Sequence, residues 1–308
     1  MTRRSLGVGP VVRTGSSPEP EVPPTVDALL HAAVSGLLGP DPGQLRVGTC
    51  FVTRQGVRHH GRLSGYRNDV VSLRVGAAVG SCALEPGEVP DDTVLGCAGQ
   101  DVAALLAHPA RAIHVATLDA YLMHLRPHAG HADDTVRIPS GDSLDKSRTR
   151  ASAVVDLLPA TPPARVLVVG VVNSLLAELR ERGFRYVPCD LRSGATEWGE
   201  AHERDATGHL DACDALLASG MTLGNGTFEP LAAHARATGK PFVLFAQTAS
   251  AVAPFFLGHG VTAVSAEPYP FFWLDGGPTA IHRYRTPVRP RGARPAPQTT
   301  PIVREETW

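Results

Sequence analysis

The second half of the chain alternates short, mainly apolar runs with amphipathic stretches. Val166-Leu167-Val168-Val169 ends in Gly170, and similar runs recur at 184–190, 215–218, 241–246 and 261–265. Apolar runs of this length, bounded by glycine or polar residues, are strands buried on both faces. The stretches 174–182, 229–237 and 251–257 space their apolar residues as helices do. Strict alternation of strand and helix predicts a parallel, doubly wound sheet that binds its ligands at the carboxyl ends of the strands. The first half is patterned differently. It opens with a helix through Leu29, Leu30, Val34, Leu37 and Leu38, followed by strands near 47–53 and 70–75. A turn-rich stretch leads to helices at 100–107 and 113–125, the second with Ile113, Ala116, Leu118, Tyr121 and Leu122 on one face. The predicted organisation is a disordered segment at 1–23, an α+β unit at 24–136, a polar linker at 137–150, an α/β unit at 151–285, and a Pro/Arg-rich tail at 286–308.

Composition narrows the function class. With 308 residues and a net charge of −1, the chain has no general attraction for nucleic acid or an anionic membrane. No apolar run is long enough to span a bilayer, and Arg3 and Arg4 are not followed by the apolar region of a secretory signal, so a cytoplasmic protein is expected. The five cysteines are scattered, with no C-x-x-C pair, and read as reduced core residues. Lys146 and Lys240 are the only lysines, which leaves little scope for Schiff-base chemistry. The tail interleaves Arg289, Arg291 and Arg294 with prolines and reads as extended and solvated.

Candidate chemistry lies in four loops that the predicted sheet brings to one rim: 170–174, 190–193, 219–227 and 247–250. Gly170 and Asn173 open the first. Asp190 ends the following strand, where carboxylates accept hydrogen bonds from ribose hydroxyls in dinucleotide folds. Val171 and Val172 occupy the space a pyrophosphate loop needs, which disfavours a conventional NAD site. The third loop, Ser219-Gly220-Met221-Thr222-Leu223-Gly224-Asn225-Gly226-Thr227, combines glycines, hydroxyls and an amide ahead of a helix, a chemistry suited to an anionic group. Ser219, Gly220, Thr222, Asn225 and Thr227 are its candidate binding residues. Gln247 and Thr248 are those of the fourth loop, where Ser250 is expected to cap a helix. Glu267 and Tyr269 offer a carboxylate and a phenol near the same rim. The candidate metal ligands are His124, His128 and His131, imidazoles within a short loop that also holds Asp133 and Asp134. His59 and His60 point to opposite faces of any strand and do not share an ion. No G-x-S-x-G nucleophile elbow is present.

The third loop resembles the S/T-G-x-T-L-x-N-G-T signature of the putative heavy-metal chelation family. Thr248-Ala249-Ser250 through Pro254, with Gly260-Val261, is similar to the segment that follows it in that family. Residues 99–106 and Ile113-His114-Val115-Ala116-Thr117-Leu118-Asp119-Ala120 resemble its first-domain helix pair. The resemblance implies a Rossmann-like parallel-sheet domain preceded by a smaller, enolase-N-terminal-like α+β domain. The chain departs from the family pattern at Asp119, in place of asparagine, at Ala246-Gln247, in place of Gly-Pro, and at Ala266-Glu267, in place of a small pair. The added carboxylates, Asp119 and Glu267, together with Tyr269, are the candidate acid/base or ligating groups. The resemblance implies a small-molecule or metal-chelate binding or modifying protein with its site between the domains. A biosynthetic enzyme using a nucleoside-type cofactor and a non-catalytic interaction protein are the alternatives. A divalent transition metal and S-adenosylmethionine are the cofactors these readings name. The expected partner is a small molecule rather than nucleic acid or membrane, with self-association left open.

Overall fold

The computed structural model describes residues 25–58, 60 and 65–286. The segments expected to be disordered, 1–23 and the tail beyond Thr286, lie outside the described residues, as does His59. The smaller lobe begins with α1 (Val26–Val34), capped by the Thr25 hydroxyl, which accepts from the Ala28 N–H. Strands β1 (Val47–Val57), β2 (Tyr66–Val75) and β3 (Ala78–Leu84) form an antiparallel sheet in that order. Helices α2 (Asp91–Cys97), α3 (Val102–Leu106) and α4 (Arg111–Leu125) complete the lobe. Helix α4 presses directly on β3, because a Cβ on Gly80 would run into the backbone of Ala116 and Ala120. Strand β3 and helix α2 occupy the stretch read as turns: the small residues of Ala-Val-Gly-Ser-Cys-Ala-Leu conceal a strand whose packing partner is helix backbone.

The chain then forms α5 (His128–His131), β4 (Asp134–Ile138), α6 (Ser143–Val155), β5 (Arg165–Val169), α7 (Asn173–Glu181), β6 (Arg185–Cys189), β7 (Ala215–Ser219), α8 (Met221–Asn225), α9 (Phe228–Thr238), β8 (Phe242–Ala246), β9 (Ala263–Ala266) and β10 (Thr279–Arg285). The seven strands lie in the order β4-β10-β9-β8-β7-β5-β6. Strands β5 to β9 are parallel, while β10 runs antiparallel to β9 and β4 antiparallel to β10. This is the expected α/β class, a Rossmann-like sheet preceded by a smaller α+β lobe. From β5 the chain moves to one side for β6 and returns to the other for β7, so a topological switch point lies between β5 and β7.

One sheet face, with Val166, Val168, Leu217 and Val243, packs with Leu175 and Leu179 of α7 and Val154 of α6. The other, with Leu167, Leu216, Leu244 and Val264, belongs to one continuous core with Leu29, Val71 and Leu118 of the smaller lobe. The stretch 137–150 is no linker. It holds the end of β4 and the start of α6, and α6 buries Lys146, Ser147 and Arg150. A helix that buries polar residues, next to an edge strand exposed at alternate positions, gives no apolar signal to read. The expected helix at 251–257 is a single 3-10 turn, Ala253–Phe256, and Ser250 bonds to His128 instead of capping it. No helix among the described residues is long and apolar enough to cross a membrane. All five cysteines are unpaired, four of them buried.

Candidate functional site in the cleft between the lobes

The four loops open on one cavity of about 600 Å³, closed on its far side by β1, β2 and the end of β3. Gly170, Asn173, Asp190, Ser219, Thr222 and Asn225 line it, as do Thr227, Gln247 and Thr248. The geometry is tightest at the switch point. Gly170 adopts φ 89° beneath Ser219, where a Cβ would stand 2.8 Å from the serine Cβ. The Asp190 carboxylate ties the first two loops, accepting from the Val171 N–H at 3.1 Å and the Arg192 N–H at 3.0 Å. Helix α7 starts at this point with no side-chain cap, and the N–H groups of Asn173 and Ser174 have no acceptor among the described residues. Gly220 is not part of the cavity wall. It is a packing glycine, whose Cβ would collide with the Thr248 carbonyl and Ala246.

Much of the polar chemistry of the third loop closes on itself. The Thr222 hydroxyl donates to the Ser219 carbonyl at 2.8 Å, and Asn225 Oδ1 accepts from both the N–H and the hydroxyl of Thr227 at 3.1 and 2.7 Å. The segment forms the short helix α8 rather than an open loop, and Gly226 supplies the left-handed turn, φ 78°, at its end. Arg111 of α4 caps that end, its Nε donating to the Gly224 carbonyl at 2.9 Å and its Nη2 to the Leu223 carbonyl at 3.3 Å. A Cβ on Gly224 would stand 2.6 Å from Cys82 Sγ of β3, so this glycine lets the two lobes meet.

The structure separates the three candidate acid/base residues from the cavity. Asp119 is sealed inside α4. Its Oδ2 accepts from the Ser81 N–H at 2.8 Å and its Oδ1 from the Ala251 N–H at 2.7 Å, which clamps β3 to the loop after β8. Burial pushes its carboxyl up to about 7, against the lowering influence of backbone N–H groups at Ser81, Ala251 and Val252. Tyr269 packs edge-on against Phe51 at 5.4 Å and Phe271 at 5.6 Å, outside the cavity wall. Glu267 is buried behind the wall, where its Oε2 accepts from Arg150 Nε at 2.6 Å and from Gln247 Nε2 at 2.9 Å.

The three imidazoles do not gather either. His128 is buried, its Nδ1 hydrogen-bonded with the Tyr284 hydroxyl at 2.7 Å and its Nε2 with Ser250 Oγ at 3.2 Å, and it stacks on His282. Burial pushes its pKa down to about 3. His131 Nδ1 is bonded to the Pro127 carbonyl, and His124 stands beside Gly76 at the other end of the smaller lobe's sheet. Among the described residues no three His, Cys, Asp or Glu side chains are arranged to hold a metal ion. The expected loop is helical: His124 lies in the last turn of α4, and Pro127 precedes the one-turn helix α5 that holds His128 and His131, so each ring meets a different neighbour.

Several residues of the cavity wall gave no sequence signal. Arg150, Tyr66, Trp273 and His202 all line it. Both ring nitrogens of His202 and the Trp273 indole N–H are buried without a partner among the described residues, a condition that ordered water or a ligand relieves. Across the mouth, Arg192 of the second loop pairs with Glu85 of the smaller lobe at 2.8 Å. Arg150 lies in the polar run Asp145-Lys146-Ser147-Arg148-Thr149-Arg150, where nothing in the sequence marks it as buried.

Comparison with known proteins locates the family signal. Residues 153–266 match the family described as putative heavy-metal chelation. That segment contains both motifs of the second unit, the third loop and the 248–261 stretch, while the first-domain helix pair lies outside it. A protein of unknown function from the same family, DUF364, from Desulfitobacterium hafniense superposes with a TM-score of 0.55 at 14% identity, covering 83% of this chain and 96% of that one. A second, from Pyrococcus horikoshii, has a TM-score of 0.48 at 14% identity, covering 78% and 85%. A mandelate racemase/muconate lactonizing protein from Herpetosiphon aurantiacus has a TM-score of 0.34 at 14% identity, covering 78% and 95%. No curated protein gives a significant match. The likeness to the Desulfitobacterium hafniense protein is one of fold.

Proposed function

We propose that the cleft binds a small anionic metabolite of the kind that chelates metal ions, and that any metal arrives within that chelate. The observation that carries this reading is the convergence of four sheet loops and the smaller lobe's strands on one cavity of about 600 Å³ at the switch point. Ligand-sized volume, uncapped N–H groups at α7 and unpartnered donors on the wall favour an anion with several acceptor oxygens. The donor set does not suit a resident heavy-metal ion. The thiols of Cys82 and Cys189 are buried with their pKa values pushed up by desolvation, and the histidines are dispersed. A chelating ligand carries its own donors and removes that difficulty. A second reading, a nucleoside-type cofactor such as S-adenosylmethionine, is supported by Asp190 at the end of β6 beside the switch point.

Thermal-shift and calorimetric titration of the full chain separate the two. Citrate and nitrilotriacetate, with and without nickel or copper, should raise the melting temperature in a saturable way, while the metal ions alone should not. At a hundred times Kd a ligand bound only by the folded state adds about 2.7 kcal/mol of stability. Ser219→Val, which puts an apolar branch beside Gly170, should weaken binding at least tenfold. A response to S-adenosylmethionine alone, lost in Asp190→Asn, would transfer the site to the second reading.

A further inference from the structure

We infer that Arg150 is the carboxylate anchor of the cleft and that its ligand is a carboxylic acid. This rests on the reading of the cleft as a small-anion site and goes beyond it in naming the group and the residue. Helix α6 presents Lys146 and Arg150 one turn apart, 1% and 4% exposed. The lysine is committed elsewhere, two of its three ammonium donors going to the carbonyls of Asp275 and Gly277. It thereby fixes the end of the aromatic segment that brings Phe271, Phe272 and Trp273 to the cavity wall.

Arg150 is held but not used up. Its Nε donates to Glu267 Oε2 at 2.6 Å, and its guanidinium lies over the rings of Phe245 and Phe272, 5.5 and 5.9 Å from their centroids. Gln247 Nε2, donating to the same Glu267 oxygen, steadies the carboxylate that steadies the arginine. Of the five guanidinium N–H donors one is engaged. The Nη groups make no hydrogen bond to a described residue and are not among the fully buried unpartnered atoms, so they keep surface toward the cavity the residue lines. Donors that face a cavity bond to water there until an acceptor on a ligand replaces it.

The geometry of that acceptor follows from the wall. A planar fork between aromatic rings matches a planar, two-oxygen partner, which is a carboxylate. Glu267 already balances the arginine charge, so the pair accommodates a monoanionic group better than a phosphate dianion. The loop after β5, with Val171 and Val172, lacks the glycines of a phosphate cradle. The Trp273 indole N–H, buried, unpartnered and on the same wall, is a further donor for the ligand.

The test titrates the full chain with citrate, succinate and glutamate, with succinamide as the neutral isostere and with inorganic phosphate. At least one carboxylate should bind saturably, with succinamide and phosphate at least tenfold weaker. Arg150→Lys keeps the charge but loses the fork, and should weaken the carboxylate tenfold or more while leaving succinamide unaffected. Because removing the cation strands Glu267, the double variant Arg150→Met/Glu267→Gln serves where the single variant does not fold, and should show the same loss. Carboxylates that bind these variants as tightly as the wild type, or bind no better than phosphate or succinamide, would overturn the assignment. If S-adenosylmethionine or adenosine stabilises the protein and no carboxylate does, the anchor fails while the cleft remains a ligand site. If none of these raises the melting temperature, both readings fall.

Discussion

At the residue scale, two buried titratable groups hold neighbouring positions of the loop after β8 and respond to pH in opposite senses. His128 bonds to Ser250, and Asp119 accepts the N–H of Ala251. Folding pushes the histidine from its ordinary 6.5 down to about 3, so below pH 6.5 the unfolded chain takes up a proton that the folded one refuses. Its contribution is present above 6.5 and is lost as pH falls, at about 1.4 kcal/mol per pH unit. Asp119 moves from 3.8 up to about 7, so the folded chain holds the extra proton. Its contribution is complete below 3.8 and is lost as pH rises toward 7, with the same slope. Between pH 4 and 6.5 the two trends oppose each other in the wild type. Urea titrations at several pH values should separate them. Relative to the wild type, His128→Gln should become less stable as pH rises across this window, and Asp119→Asn more stable. Asp119→Asn should also cost about 1 to 2 kcal/mol at every pH, since an amide accepts at one atom where two N–H groups arrive. Parallel pH profiles for wild type and both variants would refute the assignment. The neighbouring His282, stacked on His128 and itself shifted down by burial, adds to the histidine's trend.

Among the elements, those buried on both faces were legible and those that bury polar or small residues were not. Strands β5, β7 and β8 announce themselves as apolar runs and the edge strand β6 as a mixed one, and their order brings to one cavity the loops the pattern singled out. Strand β4 is exposed at alternate positions, and α6 carries its burial on Lys146, Ser147 and Arg150, so hydrophobic periodicity misses both. The same blindness explains the misplaced chemistry. Asp119 and His128 looked like reactive groups because their types are reactive, whereas only their neighbours in three dimensions show that each fastens a loop. Strand β3 is the clearest case of an element set by closeness rather than apolarity. Gly80 lets α4 lie against its backbone, and a methyl group has nowhere to go because the obstacle is main chain. Gly80→Ala should therefore destabilise by at least about 2 kcal/mol. Gly87→Ala, at a turn with φ 82° but open space, should be milder. Equal shifts in the two denaturation midpoints would show that α4 does not rest on β3 in this way.

For the molecule as a whole, the family match and the packing suggest different boundaries. The matched segment, 153–266, ends before β10 and excludes β4, most of α6 and the entire smaller lobe. Yet Leu167, Leu216, Leu244 and Val264 share one core with Leu29, Val71 and Leu118, so the smaller lobe covers a face that the sheet cannot leave in water. Polar ties reinforce the joint: Ser81 accepts the Ala249 N–H at 2.8 Å, Asp119 takes that of Ala251, and Arg111 caps α8 from the other lobe. A cleft walled by two independently folding units would flex with their linker, but one shared core fixes the width of the cavity. The full chain should accordingly unfold in a single calorimetric transition whose van't Hoff and calorimetric enthalpies agree. Residues 153–266 expressed alone should bind a hydrophobic dye and show no cooperative melt, because the face under Leu216 and Leu244 is then bare. Two resolved transitions in the full chain, or a cooperative melt of the fragment, would mean that the lobes are separate and that the cleft is a hinge rather than a fixed pocket.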